Sequence, residues 1–414
     1  TVARNVTLTS VGATDGFIGT ASGIAGFKNI NAIVGGNNTD TVNGLNTDSL
    51  WTITGANTVT YTNGNTLNVT AFETLVGGSA NDTLTFTTFG DVTLTGLGAV
   101  DGFTVIEASF TGEFRNINTI LGGAGNDSIT GLNAIAMWAV TGANSGTYTS
   151  TKTLTFSAVE TLVGGNLNDT LTFVAYNTAR SVVMTSVGTV DGFNITEANF
   201  SGAFGNINTL IGSSAVDSLT GLNVDSTWKI TGANAGQYKT AATANTLDFS
   251  TIETLIGGNA NDTLTFAGIG TVTLTALGTV DGFNATESVY TGTIRNINTV
   301  LGGAGSDTLI GLDTAGMFEI DGTNRYINGN TLDFSLVELA KGGAGNDSFL
   351  ISNSQTINLK GMGGDDKFIF ADNATLSGAT PAIDGGIGND TLDYSAYTTT
   401  PVIVDMQAGT AMNI

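Results

Sequence analysis

Four short segments carry the residue types that could do chemistry in this chain. GGAGND at Gly122–Asp127, GGAGSD at Gly302–Asp307, GGAGND at Gly342–Asp347 and GGIGND at Gly385–Asp390 each end a glycine-rich turn on an aspartate. A Ser or Thr and then an apolar residue follow each one. Glycine lets such a turn aim backbone carbonyls inward, the carboxylate adds charge, and the apolar side chain anchors the next strand. That donor set suits a hard cation. Calcium takes roughly six to eight oxygens, so one aspartate per turn is too few and a neighbouring turn must contribute.

These segments fit the G-G-x-G-x-D part of a calcium-binding nonapeptide, and at these residues the chain resembles the RTX family of secreted bacterial proteins. In that family parallel β-roll turns share calcium with a neighbour about 18 residues away. The resemblance therefore implies calcium in the last quarter of the chain, where Asp347, Asp366 and Asp390 follow at steps of 19 and 24. The residues so implied are Gly342, Gly345 and Asp347, then Gly361, Gly364, Asp365 and Asp366, then Gly385, Gly388 and Asp390. The middle turn, GMGGDD, departs from the pattern with Met362 in place of the second glycine, and Asp365 adds a carboxylate. Asp127 and Asp307 are further candidates. The resemblance also implies secretion, with the chain extracellular or at the cell surface.

Related turns recur upstream. The motif aspartates Asp40, Asp82, Asp127, Asp169, Asp217, Asp262, Asp307 and Asp347 are separated by 42, 45, 42, 48, 45, 45 and 40 residues. Asn38, Ala80, Leu167 and Ala260 replace the third glycine, and the turn at Asp217 reads GSSAVD. Ala and Leu adopt positive φ poorly. In these turns the aspartate is expected to cap its own backbone. Asn-x-Ser/Thr sequences at Asn81, Asn126, Asn168, Asn261 and Asn346 are accounted for by a turn-favouring Asn before the Asp.

Composition removes most other chemistry. With no Cys and no His, the usual nucleophile, proton shuttle and transition-metal ligands are missing. Polysaccharide lyases and epimerases on β-helices need a base beside acids in a cleft. Here the basic residues number only 12, and Arg115 and Arg295 repeat with the scaffold, so no enzyme is expected. A net charge of −23 argues against nucleic acid, and no apolar run long enough for membrane insertion occurs.

The elements that must position the turns are strands. Gly (58 residues), Asn and Asp supply turns, and Thr, Val, Ile and Phe supply strands, with only 2 prolines. DGF recurs at Asp15, Asp101, Asp191 and Asp281, in steps of 86, 90 and 90 residues, and each unit is doubled, as FRNINTILGGAGNDSI (Phe114) beside FSAVETLVGGNLNDTL (Phe156) shows. Short runs such as Val92–Thr95 and Thr170–Phe173 lie between. A 90-residue unit would also suit an immunoglobulin-like sandwich. Internal halving and the drifting spacing favour coils that bury themselves against neighbouring coils. The expected fold is all-β, a right-handed parallel β-solenoid with units at 1–90, 91–180, 181–270 and 271–350 and an RTX-like β-roll at 351–414.

Before the motif Thr stand Asn31, Asn118, Asn208 and Asn298 in first halves and Glu73, Glu160, Glu253 and Glu338 in second halves. If these positions stack about 4.8 Å apart, alternation avoids a ladder of like charges. Divergence before duplication explains the pattern equally well. Trp51, Trp138, Trp228 and Phe318 recur once per unit as expected core aromatics. No cap is visible at Thr1 or Ile414, and open solenoid ends can stack. The reading is a calcium-stabilised structural protein of a bacterial surface layer, sheath or filament that self-associates, with cell-surface polysaccharide as a further partner. A stalk segment of a large adhesin is the alternative, and an ice-binding solenoid built on Thr-x-Thr pairs is a minor one.

Overall fold

The computed structural model describes residues 2–88, 90–399, 401–405, 407 and 410–411. Thr1 and Ile414, the two ends expected to be open, lie outside the described residues. The described chain is all-β with no helix and forms a parallel β-solenoid, which excludes the sandwich alternative. It divides into two compact units, Thr1–Ala215 and Val216–Ile414.

In the first unit the chain passes back and forth between two sheets. Asn5–Val11, Thr41–Asn43, Thr74–Val76 and Glu113–Ile117 stack in parallel in one, aligning Val6, Val42, Leu75 and Phe114. In the other, Ser49–Gly55, Asp82–Phe86, Thr119–Leu121 and Thr153–Ser157 align Trp51, Leu84, Ile120 and Phe156. The aligned side chains are all buried or nearly so, and together they form the core. Rings meet across it: Phe103 of one sheet lies 5.7 Å from Tyr148 of the other, and Tyr148 packs on Trp138 at 4.5 Å. The phenol, stranded in apolar surroundings, accepts the Leu132 N–H at 2.9 Å.

The parallel stacks are interrupted, which the repeat pattern does not predict. Asp91–Leu97, Phe103–Glu107 and Glu113–Ile117 form an antiparallel meander, as do Ala136–Gly142, Ser145–Thr149 and Thr153–Ser157. Meander strands show the same in-out alternation as coil strands, so a period of two cannot separate them. DGF marks the tight end of the first meander. Gly102 takes φ 46°, and a side chain there would overlap the Ile117 carbonyl, while Phe103 is fully buried.

The second unit begins the same way. Ser226–Gly232 pairs in parallel with Asp262–Phe266, which pairs with Thr299–Leu301. After Leu339 the meanders stop and the coils shorten. Ser348–Ile351, Lys367–Phe370 and Thr391–Asp393 stack directly, with Ser348 beside Lys367 and Lys367 beside Thr391. Phe318, Phe349 and Phe368 then stack face to face at 4.8 Å, one strand spacing apart.

Candidate cation-binding edges

Within each unit the turns that join the sheets lie along two edges, and the motif aspartates are hydrogen-bonded there to neighbouring coils. On one edge Asp127 Oδ2 accepts the Gly123 N–H of its own turn at 2.9 Å, and Oδ1 accepts the Gly90 N–H of the previous coil at 2.5 Å. The Asp127 N–H in turn donates to Glu160 Oε2 at 2.8 Å. Asp307 repeats this with Gly303, Gly270 and Glu338, and Asp40 with Gly36, Arg4 and Glu73. Both oxygens of Asp127 and Asp307 are thus engaged by backbone donors, as in a turn-capping aspartate.

On the other edge the aspartate N–H groups of Asp82, Asp169 and Asp262 donate to Asn118, Asn208 and Asn298 at 3.1, 3.0 and 3.0 Å. The glutamates therefore serve one edge and the asparagines the other. The expected Asn-Glu alternation along a single ladder does not exist, because consecutive half-units turn at opposite edges. Each of these side chains replaces a turn aspartate as acceptor for the coil before it.

Backbone conformation explains the lost third glycines. Gly125, Gly305 and Gly388 have φ of 120°, 116° and 148°, whereas Asn38, Ala80, Leu167 and Ala260 do not take a positive φ, and neither does Gly345. The substituted turns follow a different path that an ordinary residue accepts. The first glycine of the motif is needed for another reason. A Cβ on Gly77 would sit 2.5 Å from Asp82 Oδ2 and 2.7 Å from the Asn116 carbonyl of the next coil.

In the short coils the implied calcium residues do come together. The Asp347 N–H donates to Asp366 Oδ1 at 2.8 Å, and the Asp366 N–H to Asp390 Oδ1 at 3.0 Å. Asp347 accepts Gly343 and Gly316 N–H groups at 2.8 and 2.7 Å. Gly342, Gly361 and Gly385 each face the Oδ2 of their own turn's aspartate so closely that any Cβ would overlap it. At Gly342 and Gly361 the next coil's carbonyl, of Gly361 and Gly385, converges on the same point. Gly364 (φ 102°) and Met362 (φ 83°) shape the middle turn, Gly345 packs against Thr314 and Ala315, and exposed Asp365 accepts the Asn389 N–H at 2.8 Å.

This column fits a hard cation on one specific observation: Asp366 Oδ2 is buried and has no hydrogen-bond partner. Burial, reinforced by the charges of Asp390 and Asp365, raises the Asp366 pKa. Burial likewise pushes Asp347 up to about 6, with Asp366 and Asp313 adding repulsion. A nearby cation offsets such costs. Among the described residues no three acidic side chains stand close enough to hold a metal by themselves, so backbone carbonyls would have to complete the shell.

Sequence reasoning missed Asn116, Asn206 and Asn296. Each is buried at φ 56–59° and pins a DGF hairpin to the preceding turn. Asn116 Nδ2 donates to Gly77 O at 3.0 Å and its Oδ1 accepts the Val100 N–H at 3.3 Å. Asn206 joins Gly164 to Val190, and Asn296 joins Gly257 to Thr279. The signal was the NIN triplet, whose first Asn sits where a left-handed residue is required.

With the geometry in hand, the class is that of a parallel β-solenoid whose turns are closed by aspartate columns. No protein-family model and no curated protein matches the chain.

Proposed function

We propose that this chain is a secreted, non-enzymatic structural protein of a bacterial surface layer, sheath or filament, rigidified by calcium in its short C-terminal coils. The observation that carries the reading is the Asp347–Asp366–Asp390 column with its buried, unpartnered Asp366 oxygen. Asp347, Asp366 and Asp390, with turn carbonyls of Gly361 and Gly385, would hold the ion, which supplies the positive charge that neutralises the column. The residues on either side contribute packing: stacked Phe349 and Phe368 fix the spacing of the turns above them. A repetitive scaffold without His or Cys, strongly acidic and built of stacked coils, suits a role in which shape and stiffness are the function. Self-association into a filament or lattice, with surface polysaccharide as a further partner, belongs to the same proposal.

The test is far-UV circular dichroism and sedimentation of calcium-depleted protein during calcium titration. A rise in β signal with growth into large particles supports calcium-gated assembly. Constant β signal and constant monomer mass would overturn it and leave the stalk of an adhesin as the better reading.

A further inference from the structure

Away from the short coils, three corners of the solenoid bury an aspartate with one oxygen left over: Asp82, Asp169 and Asp262 are fully buried. At Asp82 and Asp262, Oδ1 accepts the Ser49 and Ser226 hydroxyls and Oδ2 lacks a hydrogen-bond partner. At Asp169, Oδ2 accepts the Gly165 N–H at 2.7 Å and Oδ1 is the unpartnered oxygen, because Ala136 stands where the other corners have serine. At the DGF hairpin over each corner, Asp101, Asp191 and Asp281 likewise present a buried Oδ1 with no partner. Nothing in the capping scheme of the other edge requires this, since Asp127 and Asp307 have both oxygens satisfied.

The turn and the hairpin are held face to face by shared asparagines. Asn118 accepts the Asp82 N–H at 3.1 Å, and Asn208 accepts the Asp169 N–H at 3.0 Å. Asn116, Asn206 and Asn296 tie the hairpin backbone to the carbonyls of Gly77, Gly164 and Gly257. The Asp82 Oδ2 and the Asn116 carbonyl both approach the Gly77 α-carbon, and the same pair of oxygens recurs at Gly164 and Gly257. The Asp82 and Asp262 corners therefore set an unpartnered turn oxygen and a backbone carbonyl beside a hairpin carboxylate, whereas at the Asp169 corner the turn oxygen facing Gly164 is already held by the Gly165 N–H and the unpartnered oxygen on the hairpin side is Asp191 Oδ1. The proximity is close enough for the charge of Asp101 to bear on Asp82, of Asp191 on Asp169 and of Asp281 on Asp262.

We propose that each corner binds a divalent cation, calcium being the natural choice for an all-oxygen site, between a turn aspartate (Asp82, Asp169 or Asp262) and a hairpin aspartate (Asp101, Asp191 or Asp281). These sites are independent of the C-terminal column: their second carboxylate comes from a hairpin, not from the next turn. The bound ion clamps each hairpin to the coil before it. The first corner binds most weakly, because Lys152, whose Nζ donates to Gly98 O at 2.7 Å, already places a positive charge beside Asp101.

A tryptophan serves each corner as a reporter. Trp228 Nε1 donates to Asp262 Oδ1 at 3.3 Å, and Trp51 and Trp138 occupy the equivalent strand positions beside Leu84 and Leu171. The C-terminal column has Phe318 in that place. Terbium added to the calcium-depleted full chain, with selective tryptophan excitation, should give sensitised emission that calcium displaces. In D101N/D191N/D281N the emission should drop to the metal-free background while the β signal persists, and D366N should leave it unchanged. K152Q should strengthen the first site. If the triple variant loses its β signal, the single variants carry the test, each expected to remove its own share. Absence of sensitised emission, emission that calcium does not displace, or emission unaltered by the hairpin substitutions would overturn the proposal, whatever becomes of the C-terminal column.

Discussion

The backbone N–H of Asp347 donates to the side chain of Asp366 at 2.8 Å, across 19 residues of sequence and one coil of the solenoid. One carboxylate thus closes the turn before it while its other oxygen stays buried and unpartnered. The column is held together by hydrogen bonds and strained by charge, and substitutions can separate these effects.

Asp366→Asn keeps an oxygen to accept the Asp347 N–H but removes the buried charge. The metal-free variant should melt at or above the temperature of the parent, and calcium should raise its melting point less. Asp366→Ala removes the acceptor as well and should cost about 1–3 kcal/mol with or without calcium, the penalty of a buried donor left unsatisfied. Thermal unfolding in chelator and in calcium checks both. Equal calcium shifts in parent and Asp366→Asn would exclude Asp366 as a ligand.

Acidity should favour the metal-free fold. Burial pushes Asp82 and Asp169 up to about 7 and Asp262 and Asp347 up to about 6, from an ordinary value of 3.8. Between pH 4 and 7 the folded chain therefore holds more protons than the unfolded chain, and stability falls as pH rises through that window. Calcium binds the ionised form, so saturating calcium should flatten or invert the slope. Melting temperatures across pH 4 to 7.5, with and without calcium, measure it; a metal-free protein that gains stability toward neutrality would contradict the assignment of these buried groups.

Much of the scaffold was legible because stacking repeats chemistry at fixed intervals. Trp51, Trp138, Trp228 and Phe318 stood out as core positions, and all four are fully buried. The 19- and 24-residue steps from Asp347 to Asp390 match consecutive coils of the structure. What stayed hidden depends on direction and side. Thr58–Asn63 and Ser145–Thr149 alternate like any coil strand, yet run antiparallel. That Asn118 and Glu160 serve opposite edges follows from where each turn reverses, which spacing alone does not encode. The proposed site between Asp82 and Asp101 spans a meander whose existence had first to be known.

Glycines should differ sharply in tolerance according to what stands beside them in the fold. At Gly122 a Cβ would overlap the Ala158 carbonyl of the next coil, whereas at Gly96 it would meet nothing within 4 Å. Gly122→Ala must push two coils apart and is expected to destabilise by more than about 3 kcal/mol, in the range of strong local disruption. Gly96→Ala, on a strand surface without positive φ, should stay within about 0.5 kcal/mol of the parent. Chemical denaturation of the two variants side by side decides, and comparable losses would mean that coil contact is not what excludes a side chain at Gly122.

The clamp between hairpin and turn can be tested without disturbing the backbone it relies on. Asn206 holds φ 56° and uses its side chain to join Gly164 O at 3.2 Å to the Val190 N–H at 3.3 Å. Ala would confound two effects, since it both strains that φ and deletes the amide. Gly accepts the conformation and deletes only the amide. Asn206→Gly should therefore cost about 1–2 kcal/mol for the lost side-chain hydrogen bonds, which include a long one from the Thr189 hydroxyl. Its signature is local: the Val190 amide, at the tip of the hairpin, should exchange with solvent markedly faster, while amides of the Phe193–Glu197 strand remain protected. Uniform acceleration across the unit would instead mean that Asn206 supports the whole coil stack, and unchanged exchange at Val190 would remove the clamp from the account of how the hairpin is held over Asp169.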